Sequence, residues 1–155
     1  MKKIKKAAET GISYNAVIES IDKYTGKVIK RVKVHNTIVN NGLERIAKLL
    51  GKISSTGFDY LAVGTDDTAV QNTDTALGTE VVREQAVVSY EADYKCKFVK
   101  VFSVGSGVSY SIKEVGIFDQ AGVSGSTMWA RVACDNTLDA DTDLSVSILY
   151  TMARV

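Results

Sequence analysis

Leu144-Ser145-Val146-Ser147-Ile148-Leu149-Tyr150-Thr151-Met152, LSVSILYTM, puts Leu144, Val146, Ile148, Tyr150 and Met152 at every second position. Period two is what a strand with one buried face requires; a helix would need its apolar residues three and four apart. The same alternation recurs upstream. In 94–104 the residues Tyr94, Cys96, Phe98, Phe102 and Val104 share a side, and 81–90, 110–118 and 127–134 are further strand-like runs divided by turns such as Gly105-Ser106-Gly107 and the GVSGS of 122–126. Nearer the N-terminus, 13–22 carries Tyr14, Ala16 and Ile18 on one side, 28–34 carries Val28, Val32 and Val34, and 58–63 is a short apolar strand. The stretch 23–27 between the first two strands holds Gly26, which suits the positive φ of a short hairpin loop. The fold class expected is mainly β, an antiparallel β-sandwich or jelly-roll-like domain.

One segment breaks the alternation. In 41–50, Leu43, Ile46, Ala47 and Leu50 fall at i, i+3, i+4 and i+7, which predicts a single short helix. Asn41 as cap with Glu44 reaching back, and Gly51 in a left-handed terminal position, would mark its ends. From 64 to 75 runs a polar loop, GTDDTAVQNTDT, too long for a simple hairpin. The chain thus divides into a basic arm, 1–12, and one β-rich domain, 13–155, with hairpin and helix at 13–51 and the main sandwich at 58–155.

The 155 residues carry a net charge of only +1, unevenly spread: 1–52 sums to +8 and the remainder to −7. Lys2, Lys3, Lys5, Lys6, Lys30, Arg31 and Lys33 are the candidate partner-facing cations. Because the basic residues alternate with apolar ones and few aromatics accompany them, an acidic protein partner or a neighbouring copy is expected rather than nucleic acid. No apolar run approaches the roughly 18 residues of a membrane span, and the basic start leads into Ala7-Ala8-Glu9-Thr10 rather than a signal-type core, so synthesis in the cytosol and no membrane association are expected. There is no proline at all, which would fit edges covered by neighbouring copies rather than guarded.

Catalytic equipment is sparse. His35 is the only histidine, at a strand end; with Cys96 and Cys134 far apart it offers no standard zinc set, and the two cysteines are expected to be buried free thiols. Asp139, Asp141 and Asp143 imitate the start of a calcium loop, but Leu144 stands where the turn needs glycine and Tyr150 where a bidentate Glu belongs. Gly51-Lys52-Ile53-Ser54-Ser55 follows a helix rather than a strand and lacks the earlier glycine of a phosphate loop. Glu114 and Asp119, in EVGIFDQAG, lie an odd number of positions apart, so in a regular strand they face opposite sides, and an acid/base pair sharing one substrate would need a bulge or bend at Gly116. A structural role is expected for this motif: Val115, Ile117 and Phe118 pack, Gly116 permits close backbone approach, and Asp119 with Gly122 organises the following turn. No cofactor, metal or enzymatic activity is expected.

Three stretches, Leu61-Ala62-Val63-Gly64-Thr65, then Thr73 to Arg83 (TDTALGTEVVR), then Glu114 to Asp119 (EVGIFD), together resemble a succession found in virion proteins of tailed bacteriophages, the tail-collar fibre N-terminal domain being the nearest family. The likeness covers roughly 58–150. It implies a non-catalytic structural part of a virus particle, of head-decoration, collar or tail-fibre type. Such a part would be made in the cytoplasm of a bacterial host, be present as a trimer or other symmetric oligomer, and contact virion proteins such as the major capsid or tail proteins. The alternative is a glycan-binding β-module using Tyr24, Tyr60 and Trp129 as stacking faces.

Overall fold

The computed structural model describes residues 10–53, 56–92 and 94–154. Ten strands and one helix follow in the order β1 (Thr10–Asp22), β2 (Val28–Val34), β3 (Thr37–Ile38), α1 (Asn40–Leu50), β4 (Tyr60–Gly64), β5 (Glu80–Gln85), β6 (Val87–Glu91), β7 (Lys95–Phe102), β8 (Ser109–Phe118), β9 (Met128–Asp139) and β10 (Thr142–Arg154). They form two five-stranded sheets, β2-β1-β10-β7-β6 (sheet A) and β3-β9-β8-β4-β5 (sheet B), antiparallel throughout. The architecture is a β-sandwich with one short helix.

The alternation of 144–152 decides the core as its period requires: Leu144, Val146, Ile148 and Tyr150 are buried, while Met152 is exposed. Ala16 and Ile18 of β1, Phe98 and Phe102 of β7, and Leu61, Val63, Val115, Ile117, Ala130 and Val132 of sheet B complete one cluster between the sheets. The β1–β2 hairpin turns through Gly26 at φ +68° and docks β1 between β2 and β10, in register with β10 from Thr10↔Arg154 to Asp22↔Thr142. Strand β1 therefore takes up the last three residues of the expected arm, because β10 runs on far enough to pair with them. Cys96 and Cys134 are free thiols but only partly buried, and burial pushes the Cys134 thiol up to about 12.

Two expectations are corrected by the packing. The run 81–90 is not one strand: β5 belongs to sheet B and β6 to sheet A, and the chain crosses between them at Ala86, whose N–H donates to the Asp59 carbonyl at 2.7 Å. Apolar content alone cannot see such a crossing, since the sheet that each half joins is set by distant partners.

The helix is present but rotated. Its inward residues are Gly42, Arg45, Ile46 and Leu49, while Leu43 and Leu50 of the expected stripe are exposed, Leu50 by 80%. Gly42 causes the rotation: a Cβ there would meet the Trp129 carbonyl oxygen and lie 2.6 Å from Cδ1 of its ring, so only a bare backbone can approach this closely. The expected caps are absent as well. Val39 takes the N-cap position without a side-chain bond, and the helix start is held by backbone bonds, Val39 N–H to Trp129 O at 3.0 Å and Asn40 N–H to Asn72 O at 2.8 Å. At the other end Lys52, not Gly51, adopts the left-handed conformation, with φ 55° against −84° for Gly51.

Gly42→Ala is accordingly expected to destabilise. Alanine's higher helix propensity offers about 1 kcal/mol, but overpacking against a backbone carbonyl costs typically about 1–3 kcal/mol. Urea denaturation should show a lower midpoint for the variant, and an unchanged or raised one would mean that the helix is not seated on Trp129.

Candidate functional site

The outward face of sheet B is where the polar residues of the sequence converge. Tyr60 and Ala62 of β4, Phe118 of β8 and Met128 of β9 form with Val39 and Leu77 a second, smaller apolar cluster, covered by the 65–79 loop. Around that cluster three arginines fasten loops to the sheet.

Arg131 is buried. Its Nε donates to Glu114 Oε2 at 2.8 Å, Nη1 to Asp74 Oδ2 at 2.8 Å and Nη2 to Asp66 Oδ2 at 3.3 Å. Glu114, fully buried, also accepts the N–H groups of Gly78 at 3.0 Å and Thr79 at 2.9 Å. Burial works against the Arg131 charge, but Asp74 and Glu114 outweigh it and hold the guanidinium above its ordinary pKa. Asp66 lies below its usual value, chiefly because Thr68 donates a side-chain hydrogen bond to it. Two glycines make room. A Cβ at Gly78 would overlap the Asp66 carboxylate, and one at Gly64 would strike both the Thr79 carbonyl and the Glu114 carboxylate.

Arg83 grips Glu80 through two bonds of 2.9 and 2.6 Å, donates to the carbonyls of Gln120 and Gly122, and lays its guanidinium 3.6 Å above the centre of the Phe118 ring. Arg45, from the helix, donates to Asp119 Oδ2 at 2.6 Å, to Thr127 Oγ1 at 2.9 Å and to the Thr56 carbonyl at 3.1 Å; Asp119 also accepts the Thr127 N–H at 2.7 Å.

Glu114 and Asp119 are thus both buried, each on its own arginine, with no hydrogen-bond partner in common among the described residues. Register shifts flank them at Ile112/Glu114 and Ile117/Phe118, so strand parity alone does not set their directions. A general acid needs a proton that a substrate can reach, whereas these carboxylates accept from surrounding donors beneath a loop and a helix. What approaches Gly116 is the side chain of Leu77 and the ring of Phe118 rather than backbone, since a Cβ there would come within 2.9 Å of both. Ile117 faces the main core, and Gly122 supplies its carbonyl to Arg83.

The other candidates lie elsewhere. Asp139 accepts from the Asp141 N–H, Asp141 from the Tyr24 hydroxyl, and Asp143 from Ser103; the three carboxylates serve three different turns. Among the described residues no group of three His, Cys, Asp or Glu side chains is placed to hold a metal ion. Of the three aromatics considered for sugar stacking, Trp129 is only 8% exposed between Phe58 and Tyr150 and belongs to the core, Tyr60 packs against the second cluster, and Tyr24 is exposed on the β1–β2 turn. Lys30 pairs with Asp135 at 2.9 Å and Arg31 with Glu19, while Lys33 is exposed beside a shallow hollow lined by Asn15, Val17 and His35. Lys2, Lys3, Lys5 and Lys6 lie outside the described residues.

Lys113 reaches Asp135 as well, at 2.5 Å, and the two lysines hold that carboxyl down to about 2. A depressed folded-state value means that the stabilisation is present above the ordinary carboxylate range and is lost as pH falls through about 2. The Asp135 side-chain carbon signal should titrate near that pH by NMR and move back toward the ordinary range in Lys113→Met; an ordinary midpoint in the parent protein would show that the pairs do not persist in solution.

Gly64, Asp74, Leu77, Gly78, Thr79, Glu80, Arg83, Glu114, Gly116, Phe118 and Asp119, scattered over more than fifty positions of the chain, meet in this one assembly. Protein-family models, curated proteins and solved structures contain no match to this chain. The residues that sequence reasoning missed are Arg131, Asp66 and Arg45. A signal for the first was present: in MWARVAC, 128–134, Arg131 is a lone charge inside an apolar strand.

Proposed function

We propose that this chain is a non-enzymatic structural component of a tailed-bacteriophage particle, mounted on the exterior in many copies as a head-decoration, collar or tail-fibre type of part. The observation that carries the reading is the arginine-fastened loop assembly on sheet B. The residues on which the virion resemblance rests serve as loop anchors, glycine clearances and apolar filling, and their polar atoms are taken up by one another. A particle part must keep a loop-rich surface in one shape without a substrate to order it, and buried charge-assisted bonds do that. Its partners are further copies and neighbouring virion proteins, held by many individually weak contacts.

The deciding experiment is mass spectrometry and cryo-electron microscopy of purified particles from a host carrying the gene. Stoichiometric recovery of the chain with density on the particle exterior is expected. Its absence from intact particles, or substrate turnover by the isolated protein that is lost in Glu114→Gln or Asp119→Asn, would overturn the assignment.

A further inference from the structure

Four sheet edges close the sandwich, and three of them are blunted. The β2 edge carries Lys30, Arg31 and Lys33; β5 carries Glu80, Arg83 and Glu84, all ion-paired; β3 is two residues long. Charge and shortness are the usual means of keeping an edge from pairing with another chain.

The fourth edge, β6, is five residues long and carries a single charge, Glu91, at its end. Val87-Val88-Ser89-Tyr90-Glu91 pairs with β7 on one side and with no strand among the described residues on the other. Val87, Val88 and Tyr90 are exposed, Tyr90 by 76%. Through their partners Phe98 and Cys96, Val88 and Tyr90 belong to the inward face of sheet A, where strands bury apolar side chains. They are uncovered because β5, the last strand of sheet B, packs over β7 and stops short of β6.

We propose that β6 pairs edge to edge with β6 of a second copy of this chain, antiparallel about a two-fold axis at Ser89. The strand suits itself in that register. Ser89 faces Ser89 on the axis, Val88 and Tyr90 of one copy lie directly opposite Tyr90 and Val88 of the other, and β-branched against aromatic is a favourable cross-strand pair. The one charge on the strand, Glu91, falls opposite Val87, and the two copies of it stand four residues apart along the pairing, about 13 Å, beyond the roughly 8–10 Å over which exposed charges act at ordinary salt. A pairing of the β6 edge with the cationic β2 edge of another copy lacks this fit: Lys30 and Arg31 already have acidic partners, and such a head-to-tail contact would not close. Five residues a side bury less than the roughly 1,600 Å² of a standard interface, so the dimer is weak and concentration-dependent when free in solution. The inference concerns how copies meet and holds whether or not the chain is a virion part.

The test uses the isolated full chain and no particle, so that its failure is separate from failure of the virion assignment. Sedimentation across a concentration series should show the 16.7 kDa chain doubling in mass. Tyr90→Lys, at an exposed position, should weaken dimerisation about tenfold or more while leaving circular dichroism unchanged, because it removes both cross-strand pairs and sets two cations near each other. Directly opposite residues in an antiparallel pair have Cα atoms about 4.5–5.5 Å apart, within disulfide range. Ser89→Cys should therefore form an intermolecular disulfide under mild oxidation, and Ile29→Cys, also exposed but on β2, should not. Crosslinking no better at 89 than at 29, a dimer indifferent to Tyr90→Lys, or masses that grow without limit would each overturn the proposal.

Discussion

Arg131→Met is expected to lower the unfolding free energy by about 3–5 kcal/mol, the range found when one partner of a buried ion pair is removed. The cost comes less from the lost attraction than from what stays behind. Glu114 is fully buried, and without the guanidinium its charge would rest on two backbone N–H groups alone, with Asp66 and Asp74 facing the gap. For a chain of this length each kcal/mol moves the melting temperature by roughly 2–4 °C, so a drop of about 10 °C is the central expectation. The 65–79 loop, which Arg131 ties down through Asp66, Thr68 and Asp74, should become the first site of limited proteolysis. Adding Glu114→Gln to Arg131→Met removes the stranded charge and should recover part of the loss, giving a coupling toward the upper end of the roughly 0.5–3 kcal/mol seen for contacting residues. Arg31→Met is the control: its pair with Glu19 is solvent-exposed on the arginine side, and removal should cost less than about 1 kcal/mol. Equal, small effects of Arg31→Met and Arg131→Met would mean that the arginine cluster does not hold the loop.

Strand existence was legible in the sequence because period two is local: each of the alternating runs can be found without knowing what it packs against, and 144–152 projected its buried residues with one exception, Met152. Crossings and rotations were not legible, because they depend on distant partners. Ala86 divides one apolar run between two sheets only because Asp59 waits to accept its N–H. The helix turns away from its widest apolar stripe because Trp129, nearly ninety residues on, leaves a seat that only Gly42 fits. The same limit applies to the loop assembly. Glu114, Gly116, Phe118 and Asp119 stood out as a motif, but the charges opposite them, Arg131 and Arg45, come from β9 and α1, and no spacing rule joins those positions. An arginine placed singly in an apolar strand says that a carboxylate must be near; it does not say which one. The exposed Leu43 and Leu50 show the converse: helical periodicity reports a stripe of apolar residues without reporting which way it faces.

Trp129→Ala is the second large effect expected, about 3–5 kcal/mol, as for other buried large aromatics. The indole is stacked on Tyr150 at 4.1 Å between ring centres and on Phe58 at 5.1 Å, with the edge of Phe98 at 5.6 Å, so its removal opens the middle of a four-ring cluster contributed by both sheets. Gly42 packs on the same residue, and the helix should loosen with it. Trp129→Phe separates packing from polarity. The indole Nε1 is buried and meets no acceptor among the described residues, so phenylalanine keeps most of the stacking while removing an unpaired donor, and its cost should be well under half that of alanine. Chemical denaturation followed by circular dichroism measures both variants, since the only tryptophan of the chain is the one replaced. The comparison also bears on the glycan reading. A sugar-stacking platform is exposed, and its truncation would abolish binding with little change in stability; a core ring behaves in the opposite way. Stability unchanged in Trp129→Ala would return the residue to the surface and undo the packing described for the centre of the sandwich.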